Sequence, residues 1–557
     1  MSVSNRNALI IAVVAAIFFI PFLGGVHLFD WDEINFAEIA REMVELKTYL
    51  RIHVNYILFT EKPPLFFWMQ AGAMNLFGVG DYAARFPNAI CGIVTLVSLY
   101  KIGEKLRGVR FGWLWVGAYF GSILPNLYFK SGIIDPWFNY FIFMGIYHLI
   151  LFHWKKNGIE GVELPRKKMY YLIIAALFTG LGILTKGPVA YLITGLTLGV
   201  YWISQRFKFY INAWEVIVYT VLALCVTLMW FGVEFLANGP KFVVEFTVRQ
   251  WEIFSRADAG HAGFPGYHFV VILIGCFPIS IFLIRSHGKL FLEKLTDKDF
   301  RKWMLMLFWV VLILFTVVRS KIVHYSSMTY FPMTFLAALV LENMLDHRIT
   351  FTRWMKGIML GLAIVMGGIV IALPFVGMNV DWIKPLFQAD KFALANLNAE
   401  VPWTGLEATM GVLLIGITVA FIVLYNKRQT LLGIKVLLGG TGVFVFFTLI
   451  LVIGKIERIS QRAAITFYEE KANCDCYVEP EGFKSYGQLF YTRRSPDLIP
   501  EEHLNTEYKH WVLYGDIDKD AYFVSKVTTD KKLRENPEME FLYEENGFTF
   551  WKRSAKK

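Results

Sequence analysis

Apolar positions in this chain come in long unbroken runs, divided by short breaks where charge, glycine and proline concentrate. Runs of spanning length fall near residues 7–28, 83–102, 111–128, 136–153, 170–185, 187–204, 214–236, 267–285, 303–320, 324–342, 357–377, 404–425 and 433–454. Each approaches the ~20 apolar residues a helix needs to cross a bilayer core. The pattern predicts an all-α polytopic membrane protein of about thirteen transmembrane helices over residues 1–454. The first run, Ala8 to Phe29, is too long for the core of a signal peptide. It ends in Phe-Asp-Trp-Asp-Glu without a small-residue cleavage site, so it reads as a retained span. Past residue 455 the pattern changes. Asp475 to Tyr491 and His510 to Val527 alternate aromatic or branched residues with polar ones between turn signals, which predicts a small α/β soluble domain over 455–557.

Composition sharpens this picture. Charged residues make up 18% of the 557, below the ~25% of an ordinary soluble domain. The net charge of +10 does not imply nucleic acid, because the basic residues sit in short clusters between apolar runs and form no groove or arm. With a cytoplasmic N-terminus, the breaks around Lys105–Arg110, Lys155–Lys168, Arg206–Lys208, Lys289–Lys302, Arg348–Lys356 and Lys427–Arg428 share one side, as the positive-inside rule requires. The opposite side receives the longer mixed-charge segments 30–80, 237–266 and 378–402 and the tail, and function is expected there. Cys474 and Cys476 are too close in sequence for an ordinary disulfide and lack a second pair to complete a zinc site.

The first outer loop opens with Asp30-Trp31-Asp32-Glu33. Phe36, Ala37, Ile39, Ala40, Met43 and Val44 then form one helical stripe, predicting an amphipathic helix along the membrane surface. Asp32 is either an N-cap, with Glu33 a first-turn acid, or a carboxylate placed for general-base work. Glu61-Lys62-Pro63-Pro64 makes a rigid corner that fixes the direction of its two charges. Lys62 alone reads as an interfacial anchor, but Asp32, Arg85, Asp135, Lys186 and Lys321 share its side near the ends of spans, where ionisable groups are functional candidates. His261 lies in a glycine-flanked loop and, with Glu61, has the donor types of a divalent-metal pair. Nucleotide-binding loops, H-E-x-x-H and G-x-S-x-G are absent, so no nucleotide cofactor, zinc proteolysis or serine hydrolysis is expected.

Six strings together resemble the aminoarabinose transferase and protein mannosyltransferase group of GT-C glycosyltransferases. They are Asp-Glu-Ile-Asn-Phe-Ala-Glu-Ile-Ala-Arg-Glu-Met (32–43), Glu-Lys-Pro-Pro-Leu (61–65), Ala-Ala-Arg-Phe-Pro (83–87), Leu-Thr-Lys-Gly-Pro-Val-Ala (184–190), His-Ala-Gly-Phe-Pro-Gly-Tyr (261–267) and Arg-Ser-Lys-Ile-Val-His-Tyr (319–325). The resemblance covers the first 340 residues and fades beyond 342. It implies an inverting transferase that moves a sugar from a polyprenyl-phosphate donor to a lipid A, protein or glycan acceptor at the outer face of a bacterial inner membrane. Asp32, Glu33 and Asp135 are its implied catalytic residues. Lys62, Arg85, Lys186, Lys321 and Tyr325 are implied to meet the carrier phosphate, and Glu61 and His261 to hold a zinc-like metal.

These roles have a physical rationale. Breaking a sugar–phosphate bond leaves a lipid phosphate whose growing charge fixed cations in a poorly solvated cavity stabilise better than water does. A secondary transporter or lipid flippase also uses buried ionisable groups, but it calls for inverted repeats and charges at mid-depth, whereas these collect at one face. A structural or sensory protein leaves the clustered acids and lysines without a purpose.

Overall fold

The computed structural model describes residues 1–255, 263–499 and 508–556. Each predicted apolar run overlaps a helix, although the first is helical only as far as Phe19. Among the described residues, eight helices are long and apolar enough to cross a membrane, or nine if the bent pair Tyr267–Gly275 and Ile279–Ser286 is one span. The remaining runs fall on shorter apolar helices such as Val3–Phe19 and Val189–Ser204, and on Asp135–Asn157, whose run is diluted by asparagine, histidine and a basic C-terminus. The last predicted span does not stop at 454. Its helix continues through a single π turn, Leu449–Ile453, to Ser460.

Two short connections explain how the bundle presents charge at one end. Asp135 is the first residue of Asp135–Asn157, with Pro136 supplying a fixed φ where the backbone donor is not needed. Lys186 is the last residue of Lys168–Lys186, which Gly187 ends at φ +108 before Pro188 starts the next turn. These two helices pack side by side. An acid at a helix N-terminus and a base at a helix C-terminus are each favoured by the backbone dipole, and here they meet.

The helix predicted in the first outer loop forms, but protein covers more of it than its apolar stripe alone would call for. In Asp32–Leu46 every residue from Glu33 to Met43 is buried, because Leu65–Phe77 covers one side and Gly487–Thr492 of the tail covers the other. The apolar stripe is real, but its polar face is also used. Arg41 donates from Nε and Nη2 to Glu38 at 2.7 Å each, and from Nη2 to Tyr56 Oη at 3.3 Å. Such a bidentate pair satisfies groups that burial would otherwise penalise.

The tail forms an α/β domain with a four-stranded sheet. Its strands, following the hairpin β1 (His53–Val54) and β2 (Ile57–Leu58), are β3 (Tyr477–Glu481), β4 (Ala521–Lys526), β5 (Met539–Glu545) and β6 (Phe548–Arg553), in the order β3-β4-β6-β5. β3 runs parallel to β4, and the other neighbours are antiparallel. Of the two strings read as strands, each divides into one strand and one short helix, Gly487–Thr492 or Tyr508–Tyr514. Helix Arg462–Glu470 packs on the sheet through Phe467, whose ring centroid is 4.7 Å from that of Phe550. The sheet is fastened to the first loop by Tyr491 Oη, which donates to Asp81 Oδ1 at 2.8 Å, and by Arg494 Nη1, which donates to Asn55 Oδ1 at 2.9 Å. Cys474 and Cys476 are joined to each other, contrary to the expectation from their spacing. The chain turns between them so that their Cα atoms are 5.3 Å apart, within the reach of a disulfide.

Candidate active site

At the end of the bundle under the first loop, five of the expected residues, Asp32, Lys62, Asp135, Lys186 and Tyr325, come together with one that sequence reasoning passed over. Asp135 Oδ1 accepts from Lys186 Nζ at 2.6 Å. His324 Nε2 stands 3.6 Å from Asp32 Oδ2 and 3.9 Å from Asp135 Oδ2, bridging two acids that are far apart in sequence. Asp135 is 3% exposed and its Oδ2 has no hydrogen-bond partner, so a buried acceptor remains available there. Asp32 opens its helix without capping it, while Glu33 Oε2 accepts from Phe29 N, ahead of the helix, at 2.9 Å. The Asp32 carboxylate is 36% exposed and points to His324. His324 was visible in the string 319–325; only the juxtaposition of two distant carboxylates marks it out.

A cavity of about 460 Å³ lies beside this cluster. Lys62, Asp135, Lys186 and Tyr325 line its polar end, and Leu192, Leu314 and Val318 continue it as an apolar wall. Lys186 Nζ sits 5.4 Å from the centroid of the Tyr325 ring, so the aromatic face also steadies the ammonium. Lys62 differs from Lys186. Among the described residues no carboxylate lies within 4.0 Å of its nitrogen. Burial pulls the Lys62 ammonium below its ordinary value. The Glu61 and Asp32 carboxylates oppose that effect and Lys186 and Arg249 add to it. A cation held there without an anion is prepared to receive one.

Three other expected residues stand elsewhere. Arg85 was expected at the carrier phosphate, but all five of its N–H donors are engaged. Nε and Nη2 donate to Glu33 at 3.1 and 2.7 Å, Nη1 to the carbonyls of Leu23 and Val26 at 2.9 and 2.6 Å, and Nη2 to that of His27 at 3.0 Å. Glu33, expected to be catalytic, is the buried partner of that guanidinium and also accepts from Gly132 N. Fixed charge and these hydrogen bonds outweigh its burial and hold the Glu33 carboxyl below the usual range. With Asn88, which donates to the carbonyls of Ser131 and Ile133 at 2.7 and 2.6 Å, the pair fixes the turn that delivers Asp135. Both residues therefore build the site without entering it. Lys321 spends its three donors on Phe315, Thr316 and Val318 carbonyls at 3.0, 2.7 and 2.5 Å, closing the C-terminus of Leu295–Val317.

Of the expected metal pair, His261 lies outside the described residues. Glu61 Oε1 is 3.2 Å from Arg249 Nε, a cationic neighbour. Among the described residues no group of three or more His, Cys, Asp and Glu side chains could hold a metal ion.

The helical bundle, its capping loop and the small sheet domain define a GT-C type membrane fold. Residues 61–230 match the family described as dolichyl-phosphate-mannose-protein mannosyltransferase. The chain is 24% identical over 348 residues to the undecaprenyl phosphate-alpha-4-amino-4-deoxy-L-arabinose arabinosyl transferase of Shewanella sediminis, with 62% of each chain covered. It is 22% identical over 384 residues to the transferase of the same description from Pectobacterium carotovorum, with 66% of each covered. The matched part thus spans just under two thirds of these relatives' length. Among solved structures, ArnT from Cupriavidus metallidurans bound to undecaprenyl phosphate superposes with a TM-score of 0.76 at 18% identity, covering 99% of this chain and 98% of that one. The same protein in the apo state gives 0.75 at 17% identity, covering 100% and 99%. The chain thus shares the fold of these proteins and is similar to them in sequence over about two thirds of its length.

Proposed function

We propose that the protein is an inverting glycosyltransferase that takes a sugar from a polyprenyl-phosphate carrier and places it on an acceptor at the outer face of a bacterial inner membrane. The observation that carries this reading is the cavity, which joins an anion-ready lysine to an apolar wall. An isoprenoid phosphate has the same division between a charged head and an apolar tail. The C. metallidurans relative, bound to undecaprenyl phosphate, supports the choice of carrier.

The chemistry follows from the charges. The anomeric carbon–oxygen bond breaks, its electron pair goes to the carrier phosphate, and Lys62 and Lys186 oppose the growing negative charge. The acceptor oxygen forms the new bond from the opposite face. A hydroxyl acceptor gives its proton to Asp32, with His324 beside that carboxylate to orient it. An acceptor that is already anionic needs no base, and Asp32 then aligns it. The basic loops at the far end of the bundle support the orientation with the site outward.

Purified protein in proteoliposomes, supplied with undecaprenyl-phosphate sugar, tests the reading. Asp32→Ala and Lys62→Ala are expected to remain folded and lose transfer. Full turnover by both variants would overturn the assignment of roles. Mass spectrometry of lipids and surface glycans from cells with and without the protein identifies the sugar and acceptor through the glycoform that disappears.

A further inference from the structure

At the opposite end of the bundle from Asp32 and Lys62, a groove of about 580 Å³ runs inward from the basic loops. Val3–Phe19 and the last spanning helix, which begins at Thr430, form its sides, and Val109–Phe120 forms its floor. The two sides converge away from the basic loops, where the Phe18 ring meets those of Phe120 and Phe446 at centroid distances of 5.0 and 5.2 Å. Nearer the loops they stand apart, and Ile10, Val14, Trp113 and Leu431 leave apolar surface exposed along the opening. The floor from Arg110 to Phe120 is about 15 Å of helix. That is half of a ~30 Å hydrocarbon core, the depth of one leaflet.

Cations collect at the open end from all three helices. Lys435 lines the groove about one and a half turns into its helix. It is exposed, and among the described residues its ammonium has neither a carboxylate within 4.0 Å nor a hydrogen-bond partner. Arg6 stands one turn before Ile10 on the same helix face, exposed and equally without an acid among the described residues. Arg110 is already answered, because its Nη2 lies 2.9 Å from Asp346 Oδ1 and 3.7 Å from Glu342 Oε1. Trp113 adds an indole of the kind that settles at headgroup level. A lysine near the end of a span usually snorkels along its stem to the headgroups. Here the stem also borders an apolar slot as deep as a leaflet, so one amphiphile answers the charge and fills the slot together.

We propose that this groove binds an anionic phospholipid of the adjoining leaflet, with one acyl chain laid along Val109–Phe120 and the headgroup phosphate held between Lys435 and Arg6. Charge selects the head, since two unanswered cations at a membrane surface attract anionic lipid. Length selects the chain, because the Phe18, Phe120 and Phe446 rings end the groove after one leaflet, which suits an ordinary acyl chain better than a long isoprenoid. The bound chain fills the gap between the helix that leads into Asp32 and the helix that leads into the tail domain. Nothing in the sugar chemistry proposed above is required for it.

Native mass spectrometry of the full-length protein in detergent, titrated with phosphatidylglycerol and separately with phosphatidylethanolamine of the same chains, tests this. The wild type is expected to bind its first phosphatidylglycerol about fivefold or more tighter than phosphatidylethanolamine. Lys435→Ala with Arg6→Ala is expected to weaken phosphatidylglycerol by about tenfold or more and to bring the two lipids within about twofold of each other. Lys435→Arg with Arg6→Lys is expected to retain most of the affinity, which separates charge from folding. Gly439 borders the groove, and an added Cβ there meets nothing within 4 Å. Gly439→Leu therefore fills the slot with every cation in place, and is expected to weaken phosphatidylglycerol by about tenfold. Equal binding of the two lipids by the wild type, or wild-type affinity in the alanine or the leucine variant, would overturn the proposal. A wild type that is dimeric by light scattering and becomes monomeric in Gly439→Leu would also overturn it, by giving the groove to a second copy of the chain.

Discussion

Lys186 Nζ lies 2.6 Å from Asp135 Oδ1, so the two lysines of the carrier cavity are electrically unequal. Lys186 is already answered by an acid, whereas Lys62 is not. A bound phosphate therefore feels Lys62 in full and Lys186 only through its donors. Asp135→Asn removes the competing anion while keeping shape and hydrogen bonding. It is expected to tighten undecaprenyl phosphate by about three- to tenfold, the sign Coulomb's law requires for deleting a like charge nearby. Lys62→Ala is expected to weaken it by about tenfold or more, since among the described residues no other unpaired cation lines the cavity. Equilibrium binding of the labelled carrier to both variants checks this, and an Asp135→Asn variant of unchanged affinity contradicts the accounting.

Arg85 and Glu33 give a different expectation. Both are buried, at 7% and 8% side-chain exposure, and their bonds hold the turn before Asp135. Arg85→Ala leaves Glu33 charged and unpaired, which is expected to cost about 3–5 kcal/mol of stability. Carrier affinity per folded molecule should change far less than in Lys62→Ala. Thermal unfolding in detergent beside the binding assay separates the two effects. A variant of normal stability that has lost carrier binding returns Arg85 to the phosphate.

What could be read from the sequence follows a physical division. Spans are written in local composition, so every apolar run carries a helix along most or part of its length, and the clustering of Asp32, Lys62, Asp135 and Lys186 at one end followed from counting spans. Partner choice is not local. Nothing near Arg85 announces that Glu33 and three carbonyls will absorb all its donors, and nothing near Lys321 announces that it will close a helix. The burial of Asp32–Leu46 on both faces depends on a tail more than four hundred residues away. One missed element did carry a local signal. Asn546-Gly547, with φ values of 47 and 81, is a hairpin turn between β5 and β6 that alternation and an Asn-Gly pair could have marked.

Lys321 provides a smaller test of the same distinction. Its ammonium closes the carbonyl end of Leu295–Val317 with three hydrogen bonds. Lys321→Met keeps the apolar stem and deletes the donors. Stability is expected to fall by about 1–3 kcal/mol through the orphaned carbonyls, with carrier affinity unchanged within about twofold. Tenfold weaker binding at normal stability would show that the side chain leaves the helix end to meet phosphate.

Asp30 gives the seam between loop and tail a pH dependence whose sign can be worked out. Solvent reaches its carboxylate at this seam, but protein surrounds most of it, and this desolvation raises its pKa from 3.8 to about 6. The hydroxyl of Ser485 and the backbone of Tyr486 oppose the shift by hydrogen bonding to the carboxylate; Asp32 adds to it and Lys484 opposes it. Between pH 4 and 6 the docked form thus binds the proton that the undocked form has released. Docking is strongest below the lower value, weakens as pH rises through this window, and levels off above about 6. Asp30→Asn keeps the size of the side chain without the charge, so its unfolding temperature should exceed that of wild type by an amount that grows from pH 4 to about 6.5. Comparing the two proteins at each pH cancels the titration of the groups common to both. A difference that stays constant across the range would show that Asp30 does not titrate at the seam.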